Sequence, residues 1–262
     1  MSPTEMKTNL SGVRLTVSRA RRLSVLMALS VLCLLGTGLA QAQQHISKRY
    51  PAGKNVRLGL KNVSGEIIVE SWDRDEIRIS ATLESPAAHF SPRQMDDGLI
   101  VDVMGDNRGR GDVCAVNFKV QVPVTSSVDL ETRRGYIHVS NIRGGSVRAR
   151  VSSEGDVTLS GIGASQVEAS NTIGNIFFDG EFARGGNYQF SSGQGDITIR
   201  IPANSAFRLV ASAPTRRIAL GQFWNKGFQS IGDGRKVVGD VGDGRSSVTI
   251  TNFHGSITFL RK

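Results

Sequence analysis

Cysteine is nearly missing from this chain: Cys33 and Cys114 are the two in 262 residues. A disulfide framework and a cysteine-rich metal site are therefore excluded. The four histidines, His45, His89, His138 and His254, lie far apart, and none has a companion at metal-ligand spacing. No Gly-Lys-Ser or Gly-Lys-Thr follows the glycines, which removes a phosphate loop. Neither the EF-hand loop nor the calcium-binding glycine-rich nonapeptide occurs, so the Asp-Gly stretch between Gly232 and Gly244 reads as turns. No cofactor, metal or catalytic residue is assigned.

Long apolar runs are also scarce. The one that stands out, Leu23 to Leu35, follows Arg19, Arg21 and Arg22 and leads to Ala40-Gln41-Ala42. A basic start, a short apolar middle and an A-x-A end describe a secretory signal peptide over residues 1–42. The chain is then expected to be exported, to periplasm, cell envelope or medium, and to touch a membrane only if that segment is uncleaved. Its removal takes five basic residues and one acidic residue, leaving 27 Lys and Arg against 22 Asp and Glu, or +5 in place of +9. That surplus is too small for a nucleic-acid footprint.

Glycine, in contrast, is plentiful, and its placement is regular. Thr132-Arg133-Arg134-Gly135 leads into Tyr136-Ile137-His138-Val139, and Ser152-Ser153-Glu154-Gly155 into Asp156-Val157-Thr158-Leu159. Asn171 to Gly174 and Ser192 to Gly195 repeat the phrase, as do Asn62 to Gly65 and Asn252 to Gly255. The central glycines step by 20, 19 and 21 residues, with apolar side chains two and four places after each. Alternation makes those two positions share one face of a strand. A glycine corner between two short strands, at a period near twenty, is the signature of a stacked repeat.

A second strand precedes each corner, with Val128 and Leu130, Val167 and Ala169, Tyr188 and Phe190, and Val248 and Ile250 facing inward. At Gly155 that register would turn Arg148 and Arg150 inward, so Val147, Ala149 and Val151 form the apolar set instead. One extra residue is then expected at Ser152–Glu154, because a one-residue slip reverses every side chain. A longer echo joins Val120-Gln121-Val122-Pro123 with Ser127-Val128-Asp129-Leu130 to Ile199-Arg200-Ile201-Pro202 with Ala206-Phe207-Arg208-Leu209. Arg216 stands where a corner glycine is expected. Residues 43–54 read as a polar lead-in, 106–111 as a mobile loop, and 221–244 as irregular.

The phrases Val63-Ser64-Gly65-Glu66-Ile67, Gly-Asp-Val-Thr at Gly155, Gly-Asp-Ile-Thr at Gly195 and the closing Thr251 to Ile257 resemble the bacterial putative-adhesin family of domains of unknown function. The likeness covers roughly Asn55 to Lys262 and implies an exported or envelope-attached β-solenoid. It brings no catalytic residues.

The expected architecture is all-β: a short parallel β-solenoid over 55–262, capped by N-terminal strands, with a β-sandwich of hairpins as the alternative. Gly65, Gly135, Gly155, Gly174, Gly195 and Gly255 are the structural turn glycines, and Ile137, Val157, Ile176, Ile197 and Ile257 form one inner ladder. Gly135 to Gly255 counts as six periods, a rod of about 29 Å at ~4.8 Å per step. Arg261 and Lys262 are expected to blunt the open last edge. Arg133, Arg134, Arg148 and Arg150, with Arg143 nearby, are the candidate ligand-binding residues, read as like charges on adjacent strands that await an anionic partner. Asp156, Asp196 and Asp179 are the acids to weigh for catalysis, as one solvent-facing column. The expected function is a non-catalytic envelope or secreted scaffold, adhesive toward envelope glycans, anionic polymers or envelope proteins. The alternative is a carbohydrate-active enzyme on the same frame.

Overall fold

The structure is a computed structural model that describes residues 44–84, 87–111 and 113–262. The signal peptide expected over 1–42 lies outside the described residues. Within 44–262 the chain is all-β, and two large, mostly parallel sheets hold ten and eleven of the described strands. The one described α-helical piece is a single turn, Val103–Asp106.

Each glycine phrase takes the chain from one sheet to the other. Ser127–Arg134, Ser146–Glu154, Gln166–Ile173, Asn187–Gln194 and Ser247–His254 lie side by side in one sheet. The strands that follow their corners, Ile137–Ser140, Val157–Ile162, Ile176–Gly180, Ile197–Ile201 and Ile257–Arg261, lie side by side in the other. All of these neighbours are parallel, with register shifts only in Ser146–Glu154 and Val157–Ile162, so the hairpin sandwich is not the arrangement found. Register pairs run Ile137, Val157, Ile176, Ile197, Ile257, and all five side chains are buried. Ile67 extends the ladder beyond Ile137. The bulge stands where the alternation demands it: Val151 pairs with Thr132 and Asn171, and the register shifts before Glu154.

Space and sequence part company at both ends of the stack. Val116–Pro123 lies on one flank of the Gly65 unit, beside Ile67–Trp72, whereas the next strand, Ser127–Arg134, lies on the opposite flank, beside Arg57–Ser64. The chain has stepped over a whole unit. It does so again between Ile197–Ile201 and Phe207–Ser212, and the last unit, Ser247–His254 with Ile257–Arg261, fills the gap left behind. Two strand spacings, about 10 Å, are crossed each time. The longer sequence echo marks these two crossings. Pro123 O accepts the N–H of Ser126 at 3.0 Å, and Pro202 O that of Ser205 at 3.1 Å, so both crossings open on the same turn.

This order corrects several expectations. Gly135 and Gly255 are separated by four steps of the stack, about 19 Å, because the 207–219 unit lies beyond the last one. Ile257–Arg261 is covered on its outer side by Ile218–Ala219 only at Ile257 and Thr258, so the edge that Arg261 and Lys262 are expected to blunt begins beyond Thr258. Arg216 replaces a glycine because the outermost unit rounds its corner more widely, over residues 213–217. The stretch read as irregular supplies Gln229–Ile231 and Lys236–Val241, an antiparallel cover for Phe207–Ser212. At the far end Gln44–Pro51, within the polar lead-in, pairs antiparallel with Glu76–Leu83. Residues 106–111 continue from the helical turn and are held by buried Asn107, whose amide donates to His89 O at 2.7 Å and Val103 O at 2.8 Å.

Between the sheets the core is aliphatic in the middle units and aromatic toward the C-terminal ones. Phe178 and Phe190 meet with centroids 5.2 Å apart, and Phe207 stacks on Phe259 at 5.7 Å. Tyr188 is fully buried, and its hydroxyl donates to Ala164 O at 2.9 Å while accepting from the Ala183 N–H at 2.6 Å. Burial pushes its pKa up, partly opposed by the hydrogen bond from Ala183.

Candidate binding surface

The corner is built from three columns. At the glycines, five of the six have positive φ, from +114° at Gly65 to +146° at Gly155. A Cβ on Gly155 would overlap the carbonyl oxygen of Gly135, and one on Gly195 that of Gly174. The glycines are therefore needed for close approach between units as well as for backbone conformation. Three places before them runs an inner polar column, with Asn62, Thr132, Ser192 and Asn252 buried. Asn252 donates to Gly195 O at 2.8 Å and Ser256 O at 2.9 Å, satisfying carbonyls that the corner takes out of the regular ladder.

One place after the glycines runs an outer column, and it decides what the acids do. Asp156 Oδ1 accepts the N–H of Asn175 at 2.6 Å, and Asn175 Oδ1 that of Asp196 at 2.9 Å. Asp196 Oδ1 accepts both the N–H and the hydroxyl of Ser256, at 2.8 and 2.7 Å. Those bonds hold the Asp196 carboxyl below its ordinary value. Asp179 does not join this column. It lies on the outer face of the second sheet, paired with Arg200 and with Lys262 at 2.6 Å. Burial raises its pKa, but hydrogen bonds from Lys262 and Arg200 outweigh burial and leave it lowered.

Arg133, Arg148 and Arg150 are on the other sheet's outer face, though not as like-charged neighbours, and Arg134 is exposed at the corner, in register with Ser64 and Glu154. Inward pairing of Val147 with Val128 and Val167 sets Arg148 between Asp129 and Glu168. Its Nε donates to Glu168 at 2.9 Å and its Nη1 to Asp129 at 3.4 Å. Arg150 lies between Glu131 and Ser170. Charges alternate across the strands, so the repulsion expected there is replaced by pairing. Arg143 is in the connector after Ile137–Ser140, away from them. His138 faces outward, between buried Ile137 and Val139.

Arg133 has different company. It lines a cleft of about 470 Å³ between the sheet's outer face and residues 102–110 with Val113, together with Lys61, Arg108 and Arg110. Asp102 and Glu131 are the acids among the described lining residues. Asp102 caps the helical turn by accepting the Gly105 N–H at 2.8 Å, and Lys61 approaches Glu131 at 4.0 Å. Asn107 Oδ1 accepts from Arg110 at 3.2 Å and thereby ties that side chain to the turn. Sequence reasoning found Arg133 alone. Lys61 joins it only because strands 70 residues apart are neighbours, as the Lys61–Glu131 register pair shows. Among the described residues no group of three or more His, Cys, Asp or Glu side chains is placed to hold a metal.

No family model and no curated protein matches the sequence. Solved structures do. A putative cell adhesion protein from Clostridium sporogenes superimposes with a TM-score of 0.54 at 13% identity, over 84% of this chain and 100% of that one. A putative adhesin from Bacteroides fragilis reaches 0.44 at 12%, over 85% and 100%. The chain is similar in fold to the first of these. At such identity the likeness is one of fold alone, and the second score is too low to carry an argument.

Proposed function

We propose that the protein is an exported, non-catalytic member of the putative-adhesin family, a short β-solenoid that acts as a rigid binding scaffold of the cell envelope. The observation that carries this reading is the outer corner column. Asp156 and Asp196, the acids weighed for a hydrolase, each commit one carboxylate oxygen, Oδ1, to the backbone of the next unit, where they build the corner. A general acid would need a raised pKa, and Asp196 is shifted the opposite way. The fold likeness to the putative cell adhesion protein supports the same reading, as does the leader-like segment at 1–42.

Incubation of the purified protein with polysaccharides from native envelope material tests the reading. Retention on the polymer with no new reducing ends is expected. Release of reducing ends that is lost in Asp156→Asn or Asp196→Asn would instead establish the carbohydrate-active enzyme. Fused ahead of a reporter active only outside the cytoplasm, residues 1–42 are expected to switch it on, and a silent reporter would remove export from the account.

A further inference from the structure

We propose that a trough on the outer face of strand Arg57–Ser64, beside the hairpin of Arg93–Met95 and Gly98–Asp102, binds a neutral oligosaccharide. This inference rests on the scaffold reading and assigns that scaffold a ligand class. The trough has a volume of about 470 Å³, and Gly59 opens it. Gly59 is interior to its strand, with Ile100 its register partner on one side and Asp129 on the other. A glycine there weakens a strand, and it ordinarily marks a bulge, a left-handed backbone or the close approach of another backbone or a ligand. The first three do not apply. The register is continuous through Gly59, its φ is not positive, and an added Cβ would meet only Ile100 Cγ1, at an ordinary 3.7 Å. The missing side chain leaves room on the surface, walled by Met95 and Ile100, large apolar side chains that are 52% and 41% exposed.

The polar lining narrows the ligand class. Its charged side chains are two bases and two acids, Arg57 with Asp97 at 3.7 Å and Arg148 with Asp129 at 3.4 Å. Arg148 is further committed to Glu168 at 2.9 Å. Charge is balanced within the trough, which favours neither an anion nor a cation. The remaining polar side chains, Ser127, Ser146 and Gln166, stand one place before the register-paired, buried Val128, Val147 and Val167 and so face outward. None of the three makes a side-chain hydrogen bond among the described residues. Hydroxyls and an amide both donate and accept, as sugar hydroxyls do, while Met95 and Ile100 suit the C–H face of a sugar ring. The neutral row continues past the trough through Asn187 and Ser247, and Arg208 beyond them is paired with Asp240. From Ser127 to Ser247 is four strand spacings, about 19 Å, which suits an oligosaccharide rather than one ring. A peptide strand has no place to pair here, because Arg57–Ser64 and Ser127–Arg134 already have neighbours on both sides.

Calorimetry of the purified protein with cellohexaose, maltohexaose, mannohexaose and N-acetylchitohexaose tests the assignment. Hexagalacturonate and an uncharged decapeptide of serine and glutamine serve as the acidic and peptide arms, and melting curves check folding. Binding of at least one neutral hexasaccharide is expected, more tightly than either other arm and with little dependence on salt. Gly59→Leu fills the trough and should lower that affinity at least about tenfold, with melting unchanged or raised. Gln166→Ala should lower it about three- to tenfold. Ile231→Ser, on the outermost strand of the same sheet, should leave binding unaltered. The proposal is overturned if no neutral hexasaccharide binds, if hexagalacturonate or the peptide binds more tightly, if added salt abolishes binding, or if either variant, folded, binds as the parent does. If the parent is retained on envelope polysaccharide and one of these results is found, the trough assignment falls and the scaffold reading stands. If the parent is neither retained nor bound by any arm, both fall.

Discussion

At Asp196 one carboxylate oxygen holds the backbone N–H and the hydroxyl of a serine sixty residues further along the chain. Sequence alone made that acid look like a candidate for chemistry, because Gly-Asp recurs in a column whose neighbours were not yet known. The glycine beside it was legible as a corner, but the reason for it was only half legible. Positive φ can be read from a turn phrase, whereas overlap with another unit's carbonyl appears only once the stack is built. Gly195→Ala is expected to cost about 1–3 kcal/mol for the backbone conformation alone, and more for displacing the Gly174 carbonyl. Gly53→Ala meets nothing within 4 Å and should be close to neutral. Equal melting temperatures for the two variants would contradict the close-approach argument.

The same residues set an acid limit. Asp179, Asp196 and Asp240 all have lowered pKa values in the fold. A carboxyl lowered by folding contributes stability that is complete above its unfolded value, 3.8 here, and disappears as pH falls through the lower folded value. Melting temperature should therefore change little from neutral to about pH 5 and fall between about pH 4 and pH 2. Asp196→Asn should flatten part of that fall. A profile unchanged by the substitution would show that the Ser256 contacts do not persist in solution.

Among the elements, strand Ser146–Glu154 shows how far alternation reaches. Arg148 and Arg150 cannot enter an apolar core unpaired, so the inner set had to be Val147, Ala149 and Val151, and the extra residue had to follow. That bulge was legible from the side chains. The two step-over connections were not, although their marker was visible: Pro123 and Pro202 head matching phrases, and nothing local says that one phrase passes over a unit. Deleting Ser153 removes the bulged position and leaves the regular two-residue spacing of Thr132 to Arg134. Melting within a few degrees of the parent is expected. Deleting Ser191, inside a strand without a bulge, would turn the positions following it to the wrong face and should unfold the protein. A severe loss from the Ser153 deletion and tolerance of the Ser191 deletion would reverse the assignment of the bulge.

Across the whole molecule, each end is closed by a unit laid out of turn. Gly98–Asp102 and Val116–Pro123 lie outside the Gly65 unit at one end, and Phe207–Ser212 with Ile218–Ala219 lie outside the last unit at the other. Both ends then carry antiparallel strands, Gln44–Pro51 with Glu76–Leu83 and Gln229–Ile231 with Lys236–Val241. A parallel stack left open would present a row of unpaired backbone groups to other chains, and antiparallel covers limit that. The period of twenty revealed the stack because each middle unit follows its neighbour in sequence. Its ends were hidden because chain order stops matching spatial order there, and the candidate cleft was hidden with them. Residues 102–110 meet Lys61 and Arg133 only through that reordering.

A cysteine pair at Thr198 and Thr258 tests the reordering most directly, in a background with Cys33 and Cys114 replaced by serine. The two threonines are register partners on adjacent strands, whereas Ala219 is one strand further from Thr198. The structure predicts that a short bifunctional thiol reagent links Thr198→Cys to Thr258→Cys and leaves a Thr198→Cys, Ala219→Cys pair unlinked. Linking of the second pair with none of the first would place the 207–219 unit directly against Ile197–Ile201 and contradict the stack described above.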